Sequence, residues 1–90
     1  DAYLLYFFAA KQGHAEAAYI LGTQSDPTYF TSVNSALDAP DLGQAIKWYQ
    51  VAIDAGNKDA RKNLKELAKR VKKQADAGSS EAQRLLLQLR

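Results

Sequence analysis

Apolar residues return every three or four positions along most of this chain, with polar residues between them. Ala45, Trp48, Tyr49 and Ala52 recur at helical spacing and predict a helix over about 41–55. Ala60, Leu64, Leu67, Ala68, Val71 and Ala75 form one apolar stripe and predict a longer helix over about 58–77. On a helical wheel Lys58, Arg61, Lys62, Lys65, Lys69, Lys72 and Lys73 gather on the side opposite that stripe. Glycine punctuates the pattern. Gly13, Gly56 and Gly78 stand where helices should end, because glycine enters the left-handed region without a Cβ penalty. Before Gly13 a helix is predicted over about 2–12. After it a second runs over about 15–23, with Ala17, Leu21 and either Tyr19 or Ile20 facing inward. After Gly78, Ser79 or Ser80 can cap a last helix carrying Ala82, Leu85, Leu86 and Leu89.

The stretch 25–42 is the least regular. Asp26-Pro27 reads as an N-cap followed by a first helical residue, and predicts a short helix over 27–37 with Tyr29, Phe30 and Val33. Asp38-Ala39-Pro40-Asp41 reads as a stop and a fresh start. Strand signals are weak, since Ala, Leu, Lys and Gln dominate. The expectation is an all-α chain of antiparallel helix–turn–helix units.

Two segments of the chain share one pattern. Ala9 to Ala17 around Gly13 matches Ala52 to Ala60 around Gly56, and the two glycines lie 43 residues apart. Upstream, Ala2, Leu5-Tyr6 and Ala9 align with Ala45, Trp48-Tyr49 and Ala52; downstream, Ala17 and Leu21 align with Ala60 and Leu64. A partial third copy follows around Gly78, only 22 residues after Gly56. A fixed period of this size marks repeat architectures, which usually present binding surfaces. The units expected are a first repeat over about 1–24, an insert over 25–40, a second repeat over 41–77 and a capping helix over 79–90, within one domain.

Composition narrows the chemistry. Ninety residues suit one small domain of limited stability, and the absence of cysteine removes disulfides and thiolate metal sites. The net charge of +2 is unevenly spread: residues 58–73 hold eight basic groups against two acids, so the remainder is net acidic. No run of about 18 apolar residues occurs, and the apolar start lacks the pattern of a signal peptide. The chain is expected to be a piece of a longer protein.

The pattern Ala-x-x-Trp-Tyr-x-x-Ala-x-x-x-Gly-x-x-x-Ala-x-x-x-Leu over 45–64 resembles the Sel-one-like repeat, a branch related to the tetratricopeptide repeat. The first copy, through Leu21-Gly22, is similar to it too. Ser25 and Thr28 stand where that family commonly has Tyr and Gly, the link from Gly22 to Asp41 is longer, and the third copy lacks the Trp-Tyr pair. The resemblance implies a short α-solenoid that acts as an adaptor for protein partners and not as a catalyst. Similar repeats occur in bacterial envelope, secreted and signalling proteins and in eukaryotic membrane-protein quality control.

No residue cluster argues for catalysis or a cofactor. His14 is the only histidine, and its counterparts Asn57 and Ser79 point to a turn role. With no second His and no Cys, no Cys–His pair can form, and no Gly-rich phosphate loop occurs. The candidate partner-binding residues are Tyr3 and Phe7 in an unusually apolar first helix, and Tyr29 and Phe30 in the insert. Burial of the first helix under a preceding repeat is the other reading of its apolar surface. The rival to protein binding is electrostatic attachment of Lys58, Arg61, Lys62, Lys65, Lys69, Lys72 and Lys73 to an acidic protein, lipid head groups or nucleic acid, and a solvated outer face balancing the acidic remainder is the favoured reading of the same stripe. Nucleic acid is disfavoured because no aromatics interleave with the lysines. A third reading is an accessory domain regulating an enzyme elsewhere in a parent chain. No small-molecule substrate is expected.

Overall fold

The computed structural model describes residues 2–30 and 39–89. They form five helices, α1 (Ala2–Lys11), α2 (Ala15–Ser25), α3 (Leu42–Asp54), α4 (Lys58–Asp76) and α5 (Ser80–Gln88), with no strand among the described residues. The chain is all-α, as the periodicity predicts, and all five helices fall within two residues of the predicted bounds.

The glycines end their helices in the same way. Gly13 and Gly56 take φ of +92° and +101°, a conformation a side chain would strain. At the first turn Gly13 N donates to Ala10 O and His14 N to Ala9 O (3.0 and 3.1 Å). At the second, Gly56 N donates to Ile53 O and Asn57 N to Ala52 O (both 2.9 Å). Gly78 repeats the arrangement through Ala75 O and Gln74 O. This paired bonding satisfies carbonyls that the helix end would leave open. The residue after each glycine is the N-cap of the next helix. Asn57 Oδ1 accepts from Ala60 N at 2.9 Å and Ser79 Oγ from Ala82 N at 3.1 Å. His14 occupies the same place but makes no side-chain capping bond.

Each helix packs chiefly on its neighbours in sequence: α2 on α1 and α3, α4 on α3 and α5, with a smaller contact between α2 and α4. The core runs through Ala10, Ala18, Leu21, Ala45, Ile46, Trp48, Tyr49, Ala52, Ala60, Leu67, Val71 and Ala82. The body measures 37 × 28 × 17 Å. Alanine on facing helices lets the axes approach, and Gly22 lies directly against the Tyr49 ring. A Cβ on Gly22 would lie 2.5 Å from Cδ1 and Cε1 of Tyr49, so a side chain there would collide with a buried ring.

The stretch 25–42 departs from the prediction. α2 continues to Ser25, and residues 27–29 form a single turn, with Tyr29 N and Phe30 N both donating to Asp26 O. The predicted helix 27–37 is therefore not present over 27–30, and its remainder, with Val33, lies outside the described residues. Asp41 N donates to Ser25 O at 2.8 Å, which pins the two ends of this segment side by side. The longer link thus leaves α2 and α3 in direct contact. Asp41 also caps α3, its Oδ1 accepting from Gln44 N at 3.1 Å.

Candidate functional site

Two features stand apart from the alanine–leucine core: a buried polar seam between α2, α3 and α4, and the open surface of α1–α2. The seam is centred on Tyr49, which is wholly buried and donates to Asp26 Oδ2 at 2.7 Å. Asp26 ends α2, and its Oδ1 accepts from Thr28 N at 2.9 Å, so both carboxylate oxygens are engaged. From α4, Asn63 Nδ2 donates to the hydroxyls of Tyr19 (3.1 Å) and Tyr49 (3.4 Å), and Asn63 Oδ1 accepts from Tyr29 at 3.4 Å. One amide thereby ties α2, α3 and the 27–29 turn to α4. Burial, reinforced by the hydrogen bond to Asp26 and its charge, pushes the Tyr49 phenol well above its ordinary range. Tyr49 is therefore a fixed donor at neutral pH. The seam orders helices; its phenols, amide and carboxylate are spent on one another.

The open surface follows from the duplicated sequence. In the second copy, α2 lies on Tyr49 and Asn63: Gly22 meets the Tyr49 ring, Asp26 takes its hydroxyl and Tyr19 meets Asn63. In the first copy the matching positions are Tyr6 and Ile20. They line a shallow depression on α1–α2 together with Ala9, His14, Glu16 and Ala17. All six lining residues sit 43 positions before Tyr49, Ala52, Asn57, Asp59, Ala60 and Asn63. The depression is thus the first copy's counterpart of the seat that α2 fills in the second. Burial follows the same division. Trp48 is 3% exposed, and its counterpart Leu5 is 71% exposed. Leu4 and Phe8 add to the apolar surface of α1, at 48% and 59% exposed.

The four partner-binding candidates fall in different settings. Phe7 is half-buried, and its ring meets Trp48 edge-on, with centroids 5.7 Å apart. Tyr3 stacks on Phe7 at 6.5 Å and is also half-buried. Lys11 lies over the Phe7 ring and Lys47 over Trp48. Phe7 thus joins α1 to α3 with Tyr3 stacked behind it, and the more exposed residues of this helix are Leu5 and Phe8. Tyr29 is about half exposed, tethered through Asn63, and Phe30 is half-buried. The structure does not bring Tyr29 and Tyr3 into one cluster: the former belongs to the α4 side of the seam, the latter to α1.

The seven basic candidates all lie exposed along α4, as the wheel predicts. Lys69 meets Glu66 at 3.4 Å, the one ion pair among the described residues. Sequence reasoning did not single out Asp26, Tyr19 or Asn63 as a group. Asn63 left a signal, a polar residue within the apolar stripe between Ala60 and Leu67. Among the described residues no three His, Cys, Asp or Glu side chains are grouped to hold a metal ion. Among the described residues no helix is long and apolar enough to cross a membrane.

Compared with known proteins, the chain matches no protein family, no curated protein and no solved structure.

Proposed function

We propose that this chain is a non-catalytic adaptor of Sel-one-like repeats that docks a helix of a protein partner on the α1–α2 face. One observation carries the reading. Tyr6 and Ile20, which line the open depression, stand position for position where Tyr49 and Asn63 receive α2 in the second copy. An apolar seat of this kind suits helix-in-groove recognition, in which an amphipathic helix lays its apolar side into a groove. α2 shows what such a helix needs: a small residue over the tyrosine ring, as Gly22 provides for Tyr49, and an acceptor for its hydroxyl, as Asp26 provides. Ile20 stands where Asn63 makes its hydrogen bonds, so the docked helix would be apolar where α2 carries Tyr19. Exposed Leu5 and Phe8 would supply the hydrophobic anchors.

The test is site-specific photocrosslinking in the native host, with the reactive side chain placed at position 5 or 8 and, as control, at exposed Arg84 on α5. The reading expects one discrete protein adduct from positions 5 and 8, mapped to a helix of the partner, and none from position 84. Equal labelling from all three positions, or none from 5 and 8, would refute it.

A further inference from the structure

α4 carries a feature the adaptor reading does not use. Its seven cations Lys58, Arg61, Lys62, Lys65, Lys69, Lys72 and Lys73 fall within an arc of about 120° and run for about 22 Å along the helix. Only Asp76 shares that arc, at its end; Asp59 and Glu66 lie to one side. The ridge replaces something. Ala18 and Gly22, through which α2 packs closely on its neighbours, correspond to Arg61 and Lys65 in α4. Where the first copy offers small residues to another helix, the second offers charge. Apart from Lys69, none of the ridge cations meets a carboxylate among the described residues.

We infer that this ridge is a contact for an anionic lipid surface. The chemistry of the cations points there. Six of the seven are lysines, compact hydrated point charges without the planar fork that pairs with a single carboxylate or guanine. The arc holds no aromatic ring on which a base could stack and no Asn or Gln to read a base edge. The apolar side of α4 is committed to the core through Ala60, Leu67, Val71 and Ala75, so the helix offers a partner charge and no insertion. Long flexible stems let the heads of a narrow ridge reach one plane together. A plane of mobile anionic head groups satisfies each of them without any fit of shape, and each basic residue near such a surface adds about 1 kcal/mol, or about fivefold in affinity.

Co-sedimentation of the full chain with vesicles tests this. Vesicles of phosphatidylcholine with about 30 mol % phosphatidylserine, in about 0.1 M salt, should bind the chain, and pure phosphatidylcholine should not. Raising the salt about threefold should weaken binding by about tenfold or more. The triple variant Lys62→Gln, Lys65→Gln, Lys69→Gln should lose about a hundredfold. Its sites are exposed and glutamine is a good helix former, so an unchanged circular dichroism spectrum separates loss of binding from loss of fold. The variant Leu5→Gln, Phe8→Gln should bind vesicles like the parent chain, which keeps this surface distinct from the helix seat. Binding to neutral vesicles, full binding by the triple variant, or tighter binding to polyglutamate or a single-stranded oligonucleotide at equal anion concentration would overturn the inference.

Discussion

α1–α2 and α3–α4 are built on one pattern and end in different environments. Both pairs turn through a glycine with φ near +100° and share the same two capping hydrogen bonds. Yet Tyr49 is wholly buried where Tyr6 lines an open depression, and Trp48 is covered where Leu5 stands in solvent. The turn is a local property, fixed by the residues within it. Burial is a property of neighbours: α2 covers α3, and nothing among the described residues covers α1 in the same way. The caps differ as well, since Asn57 bonds its helix and His14 does not. So do the matching faces of the second helices, small and buried in α2, cationic and exposed in α4.

The largest contrast is expected at the aromatic position. Trp48→Ala should cost about 3–5 kcal/mol in urea unfolding, because it empties a packed site against Phe7. Leu5→Ala at the matching place should stay within about 0.5 kcal/mol. Comparable losses at both would mean that α1 is covered after all.

The tyrosines come next. Tyr49→Phe removes a donor from a buried carboxylate and should cost about 1.5–3 kcal/mol, whereas Tyr6→Phe should be close to neutral. A pH titration sharpens this pair. The folded chain raises the Tyr49 phenol above its ordinary value of 10.0, so native Tyr49 keeps its proton where the unfolded chain has lost it. Stability from this group is fully present below pH about 10 and falls as the pH rises beyond it, by up to about 1.4 kcal/mol per pH unit. The Tyr49→Phe chain should show a shallower alkaline decline than the parent, and identical slopes would contradict the buried hydrogen bond.

Glycine 22 and its counterpart Lys65 give a smaller difference. Gly22→Ala gains about 1 kcal/mol of helix propensity but forces a methyl group against the Tyr49 ring, so a net loss of about 1–2 kcal/mol is expected. Lys65→Ala on the exposed ridge should change thermal stability little. The smallest effect lies at the caps. His14→Ser should stabilise by about 0.5–1 kcal/mol by supplying the bond that Asn57 and Ser79 already make. A loss on that substitution would show that the His14 side chain holds a contact of its own.

These contrasts also explain what the sequence could and could not reveal. Gly13, Gly56 and Gly78 mark their turns because positive φ is a demand that one residue type meets. The ridge and core sides of α4 are legible because helical spacing sorts them. Asp26 misleads. Followed by proline, it reads as the start of a helix, but it closes α2, and its carboxylate answers Tyr49, 23 residues away. Asn63 misleads in the same way, as a polar gap in an apolar stripe that only the arrival of Tyr19 and Tyr29 explains. Phe7 reads as a free aromatic until Trp48 is placed beside it. Long-range partners decide all three, and no local pattern encodes them. The open seat is legible only in retrospect, by aligning the two copies and asking which of them has a neighbour.

The difference in burial between the copies is most directly tested by hydroxyl-radical footprinting of the dilute chain, each residue scored against its own rate in denaturant. Leu5 and Phe8 should be oxidised at close to their unfolded rates, while Trp48 and Tyr49 are strongly protected. Equal protection of Leu5 and Trp48 would contradict the account, because the α1–α2 face would then already be closed.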